Sequence, residues 1–165
     1  MVTIMPRFNS GRMVGEYLAK CYLPASQRHR LYQQNQYENS RLVAEWKARV
    51  RHAWSGVAMH RLDTGRMEII YGESLRLEVG VKLNGLNPDD VVVELLIGLL
   101  AKHENLQSSR RYSFEATGTM TEAGENIFSL EVQPEQCGKL EYHIRAYPYH
   151  EMLTHPFEMG MMRWL

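Results

Sequence analysis

Leu75-Arg76-Leu77-Glu78-Val79-Gly80-Val81-Lys82-Leu83 decides how this chain folds. Leu75, Leu77, Val79, Val81 and Leu83 alternate with Arg76, Glu78, Gly80 and Lys82. A pleated backbone sends successive side chains to opposite faces, so one face of this segment is dry and the other wet. That is the pattern of a strand in an antiparallel sheet with one side on a core.

The same rhythm continues downstream. Asn84-Gly85 and Asn87-Pro88-Asp89-Asp90 are turn signals. Val91 to Leu100 reads as a more buried strand, Tyr112 to Met120 as a weaker one, and Phe128, Leu130 and Val132 as another. Leu140, Tyr142, Ile144 and Ala146 then alternate with Glu141, His143 and Arg145, and Glu158 to Trp164 is placed to close the sheet. Upstream, Val57 to Leu62 and Arg66 to Tyr71 are two further candidate strands. About seven short strands separated by turns fit an immunoglobulin-like antiparallel β-sandwich. The Cys-Trp-Cys core of antibody domains is missing, and no βαβ alternation calls for a parallel sheet.

Before Gly56 the period is close to four. Asn9-Ser10 is a helix cap, and Met13, Val14, Tyr17, Leu18 and Cys21 form one apolar stripe, which Pro24 is expected to end. Residues 26–38 fit either a helix or an ordered loop. Asn39-Ser40 is a second cap, followed by Leu42, Val43, Trp46, Val50, Ala53 and Trp54 on one face, with Ser55-Gly56 as the stop. The division is therefore a helical arm over residues 1–55 and a mainly β unit over 56–165.

Composition narrows the function classes. Nineteen Lys plus Arg balance nineteen Asp plus Glu, so no general field draws a polyanion, and nucleic acid is not an expected partner. Arg28, Arg30, Arg41, Lys47, Arg49 and Arg51 do cluster, and read as a solvated helix face rather than a docking face for an acidic partner. The longest apolar run, Val91 to Ala101, is interrupted by Glu94 and Gly98 and falls short of the ~20 residues a membrane helix needs. Met1-Val2-Thr3-Ile4-Met5-Pro6 does not have the form of a secretion signal, and Cys21 and Cys137 read as buried free thiols in a cytoplasmic protein.

Chemistry-bearing patterns are sparse. The glycines are scattered at turns and strand ends, with no phosphate loop. His143, His150 and His155 with Glu151 lack zinc-ligand spacing, so no metal is expected. No Ser or Cys has a neighbouring base to activate it. Two surfaces remain. Tyr147, Tyr149 and Trp164 are candidate glucan contacts, because an aromatic ring can stack on the apolar face of a sugar. Met13, Tyr17, Leu18, Trp46, Val50 and Trp54 are a candidate docking face, because large apolar side chains on an arm need cover.

The opening Pro6-Arg7-Phe8-Asn9-Ser10-Gly11-Arg12-Met13-Val14-Gly15-Glu16-Tyr17, continuing to Tyr22-Leu23-Pro24-Ala25, resembles a late segment of the bacterial α-glucan (glycogen) phosphorylase family. Glu45-Trp46-Lys47 with Trp54-Ser55-Gly56-Val57, and Pro148 to Leu153 with Pro156 to Trp164, are similar to the end of that family's longer members. The resemblance implies a parent enzyme that uses pyridoxal phosphate and inorganic phosphate to release glucose 1-phosphate from an α-1,4-glucan. No residue here matches the family's cofactor-lysine motif, so no catalytic or cofactor-binding residue is carried over. The expectation is a non-catalytic accessory or assembly region whose partner is the catalytic domain. The alternatives are a carbohydrate-binding module or a protein that self-associates through its arm.

Overall fold

The computed structural model describes residues 9–63, 72–100, 106–134 and 140–165. The candidate strand Arg66 to Tyr71 and Cys137 lie outside them.

Among the described residues the sandwich has two antiparallel sheets of four strands. The strands are β1 (Ala58–Arg61), β2 (Leu75–Lys82), β3 (Val91–Leu100), β4 (Leu106–Ser113), β5 (Glu115–Met120), β6 (Asn126–Val132), β7 (Leu140–Pro148) and β8 (Arg163–Trp164). The first sheet runs β1-β2-β6-β5 and the second β4-β3-β7-β8. The alternation in β2 is realised: Leu75, Leu77, Val79 and Val81 are buried, while Arg76 and Lys82 face solvent. Their partners in the core are Val91, Val93, Leu95 and Ile97 from β3 and Ile144 and Ala146 from β7.

Two strand expectations need correction. Tyr112 to Met120 is not one strand. It divides at Phe114, which is buried and donates its N–H to Val93 O (2.9 Å), so Tyr112 belongs to the second sheet and Glu115–Met120 to the first. Glu158 to Trp164 contributes only the two residues of β8; before them, turns are closed by Glu158 N–H to His155 O and Gly160 N–H to Phe157 O. Gly160 has φ +64, a left-handed conformation that ends any extended run.

The helical arm begins with α1 (Ser10–Tyr17), capped by Asn9, whose side chain accepts from Arg12 N–H at 2.7 Å. Pro24 does not end the helix. The backbone widens into a π turn at Leu18–Tyr22, where Leu23 N–H reaches back to Leu18 O, and Pro24 falls in the first turn of α2 (Leu23–Ala53). The proline is accommodated because the turn before it is wide, with Leu23 N–H bonded five residues back instead of four. Within α2 the helix breaks at Gln34–Tyr37, with Asn35, Gln36 and Tyr37 at φ +50, +54 and +65. Left-handed residues with a Cβ cost roughly 1–2 kcal/mol each. Asn39 and Ser40 offset part of this. They donate to Leu31 O (3.0 Å) and Tyr32 O (3.1 Å), closing the preceding helix rather than opening the next.

At its C-terminal end α2 turns inward. Trp46, Val50 and Ala53, with Trp54 and Val57 just beyond, belong to the same apolar core as both sheets. The helix leaves through a 3-10 turn at Trp54–Gly56. Asn84, in the turn after β2, donates to Ala53 O at 2.8 Å. That approach requires Gly56, since a Cβ there would lie 2.4 Å from the Asn84 amide nitrogen. Cys21 is exposed, contrary to its expected burial, because the whole of α1 and the π turn lies away from the core.

Leu77 is fully buried between the sheets, so Leu77→Ala should destabilise the chain by about 2–5 kcal/mol in urea titration. Met13→Ala on the exposed arm should stay within about 0.5 kcal/mol.

Candidate docking face and the joint that holds it

The residues of the candidate docking face separate into two groups. Trp46, Val50 and Trp54 are 3%, 0% and 6% exposed, buried in the chain's own core, and so cannot receive a partner. Met13, Tyr17 and Leu18 are 48%, 50% and 50% exposed. Val14 and Tyr22 extend this open surface along α1 and the π turn. The reason for the split is position: helical spacing marks which side chains need cover, but the sandwich reaches only the C-terminal part of the arm.

That part is held by a polar joint. Trp46 Nε1 donates to Asp90 Oδ1 at 2.6 Å, and Asp90 also accepts from Asn87 N–H at 2.9 Å. Arg49 approaches the same carboxylate at 3.5 Å. The Asp89-Asp90 turn thus fastens the helix to the start of β3.

The segment 149–162, which follows β7, straps the other side. Tyr149 N–H donates to Asp90 O (2.8 Å), His150 packs on Trp46 with ring centroids 5.0 Å apart, and Tyr32 OH donates to Met152 O (2.6 Å). Lys47 pairs with Glu158. Lys47 and Arg49 of the basic cluster therefore face acidic groups of the sandwich. Burial alone pushes the Glu158 carboxyl up, but hydrogen bonds from Lys47 and from Thr154 N–H outweigh it and hold the group below its ordinary 4.5.

Behind the strap lies a feature the sequence showed only as an interruption. Glu94 of β3 stands directly opposite Arg145 of β7, and the two form a buried ion pair. The Arg145 guanidinium lies 4.8 Å from the Phe157 ring, 5.7 Å from Tyr147 and 5.5 Å from Trp164. Tyr147 is buried and its OH is 3.4 Å from Glu94; burial and the Glu94 charge both push its phenol up, which keeps the donor protonated. A lone carboxylate within Val91–Leu100 was the available signal, because buried charges need a partner.

The three candidate glucan contacts are not brought together. Tyr147 is 7% exposed and covered by Phe157, which removes it as a sugar platform. Tyr149 and Trp164 are 42% and 57% exposed. Each of the three histidines has its own local partner: His150 Nδ1 accepts from Met152 N–H, His155 Nδ1 from Phe157 N–H, and His143 lies edge-on to Trp164. Among the described residues no three metal-ligating side chains converge, and no helix is long and apolar enough to cross a membrane.

The model of the glycogen phosphorylase C-terminal domain matches residues 54–165. The chain belongs to this family. It is 32% identical over 167 residues to a maltodextrin phosphorylase of Thermococcus litoralis, covering 98% of this chain and 19% of that protein. It is 30% identical over 162 residues to the glycogen phosphorylases of Mycobacterium bovis and Mycobacterium tuberculosis, covering 97% of this chain and 19% of each. The chain thus spans about a fifth of the length of these relatives. No solved structure gives a significant match. The family match begins at Trp54, whereas the core of the phosphorylase C-terminal unit also takes in Trp46, Val50 and Ala53 of the arm.

Four substitutions test the joint. Asp90→Ala strands the Trp46 N–H and should cost about 1–3 kcal/mol by denaturant unfolding. Arg145→Met leaves the Glu94 carboxylate buried without its cation and should cost about 3–5 kcal/mol, much of it regained in the Glu94→Leu, Arg145→Met double variant. For Glu158 the folded carboxyl titrates below its unfolded value, so its stabilisation is present above about pH 4.5 and is lost as the pH falls through the folded value. The stability difference between wild type and Glu158→Gln should accordingly shrink on acidification.

Proposed function

We propose that this chain is a non-catalytic accessory and assembly region of an α-glucan phosphorylase, and that the exposed stripe of its arm docks on the catalytic part. The parent activity is phosphorolysis of an α-1,4-glucan to glucose 1-phosphate. The observation that carries the reading is the arm itself, anchored at one end in the sandwich core while Met13, Tyr17 and Leu18 stand open at the other. Covering a large apolar side chain is worth about 1.5–3 kcal/mol, so the stripe has a strong tendency to be covered. Membership of a phosphorylase C-terminal family supports a catalytic domain as the cover.

The strand order supports the finer reading of the sandwich as immunoglobulin-like. In chain order the first sheet is A-B-E-D, and the second holds C, F and G with β4 added beside C. On this reading pyridoxal phosphate is bound outside the chain, whose residues offer no cofactor-lysine motif, and the protein works in the cytoplasm.

Incubated with maltodextrin, inorganic phosphate and pyridoxal phosphate, the isolated chain should form no glucose 1-phosphate; sustained turnover would contradict the accessory role. In the phosphorylase carrying this region, Tyr17→Asp with Leu18→Asp should lower the melting temperature and the specific activity, whereas Met120→Asp on β5 should leave both unchanged. Equal behaviour of the two variants, or light scattering that shows the stripe joining two copies of this chain, would remove the catalytic domain as its partner.

A further inference from the structure

The geometry points to an α-glucan subsite on the outer face of the second sheet, with Trp164 as the stacking ring and His143 and Glu141 as polar contacts to sugar hydroxyls. The ligand class rests on the reading of the chain as part of an α-glucan phosphorylase; the site rests on its own geometry. Trp46 and Trp54 are buried, as large rings ordinarily are, but Trp164 is 57% exposed.

The backbone that carries the ring is fixed without a ligand. The backbone of Trp164 pairs with Arg145, and Leu165 N–H donates to Ile144 O at 2.9 Å. Arg163 reaches the carbonyls of Trp54 and Ser55, both at 3.3 Å. The Arg145 guanidinium lies over one face of the indole, leaving the other for a ligand, and is itself held by Glu94. A ring held in this way loses little freedom on binding.

The surroundings suit a neutral polyol. His143 meets the Trp164 ring edge-on, with centroids 6.3 Å apart and planes at 89°. His143 Nε2 lies 3.6 Å from Glu141 Oε1, and both side chains are nearly half exposed. A hydroxyl-rich ring can lay its apolar face on the indole and find an imidazole and a carboxylate at the edge. An anion finds no net attraction, since Arg145 is neutralised by Glu94 and Glu141 is itself negative. Tyr149 is four residues along from the Trp164 register position, roughly 13 Å in extended chain, so the platform is a single ring. One ring binds weakly, and a branched polymer multiplies weak contacts.

Native electrophoresis of the full chain in gels with and without glycogen tests this site. Wild type should be retarded by glycogen, with maltoheptaose competing and the β-linked cellohexaose not competing. Trp164→Ala should weaken retention by about tenfold, His143→Ala less, and Trp164→Phe and Tyr149→Ala little. The exposed ring should leave thermal melting of Trp164→Ala close to wild type; if that variant unfolds, His143→Ala decides, and its retention equal to wild type overturns the subsite. Absence of retardation in the wild type, or equal retention of Trp164→Ala, overturns the subsite. A lower melting temperature of the parent phosphorylase on Trp164→Ala, with glycogen mobility unchanged, would make the ring a protein contact and likewise overturn it. The arm variants report separately on the accessory role, so either reading can fall alone.

Discussion

The end of α2 packs one face, Val43, Trp46, Val50 and Ala53, against the sandwich, and most of the remaining structure is arranged around that fact. Trp46, Val50, Ala53 and Trp54 share one apolar core with β2, β3, β6 and β7. A helix whose end is sealed against a β core brings polar backbone and side-chain groups to that seam, and each needs a partner. The indole N–H finds Asp90, and the carbonyl of Ala53 finds Asn84. The carbonyls of Trp54 and Ser55 find Arg163. Among the described residues, no fully buried side-chain nitrogen or oxygen lacks a hydrogen bond.

These partners come from three separate places in the chain: the turn after β2, the turn before β3, and the last few residues. The helix therefore ties both sheets and the C-terminal strap into one cooperative unit. The strap in turn covers the Glu94–Arg145 pair through Phe157 and meets the helix at Trp46 and Lys47. A buried pair of this kind adds little to stability over apolar replacements, but it penalises any register that separates its members. In β3 and β7 it fixes which residues stand opposite each other, and so where Trp164 comes to lie.

The arm has two mechanical regimes. Up to the left-handed break at Gln34–Tyr37 it carries an apolar stripe with no buried residue in α1 or the π turn. Beyond the break it is part of the sandwich core. The break and the Tyr32–Met152 hydrogen bond set the direction in which the open stripe leaves the domain. An exposed apolar surface held at one angle by a rigid base suits a structural connection between folded units.

The alternation in Leu75–Leu83, the turn at Asn84-Gly85, the buried run from Val91 and the change of period at Gly56 were all legible, because each depends on side chains close together in the chain. Met13, Tyr17, Leu18, Trp46, Val50 and Trp54 were legible too, as large apolar side chains on one helical arm. What the order of residues could not show was which of them the sandwich itself would cover. It could not show that Phe114 switches sheets, that Glu94 meets Arg145, or that Tyr147 lies under Phe157 while Trp164 stays open. Those outcomes depend on contacts between residues far apart in the chain, and only the packing of helix, sheets and strap brings them within reach. Local periodicity determined that there is an arm and a sandwich; tertiary contact decided which surfaces were left exposed.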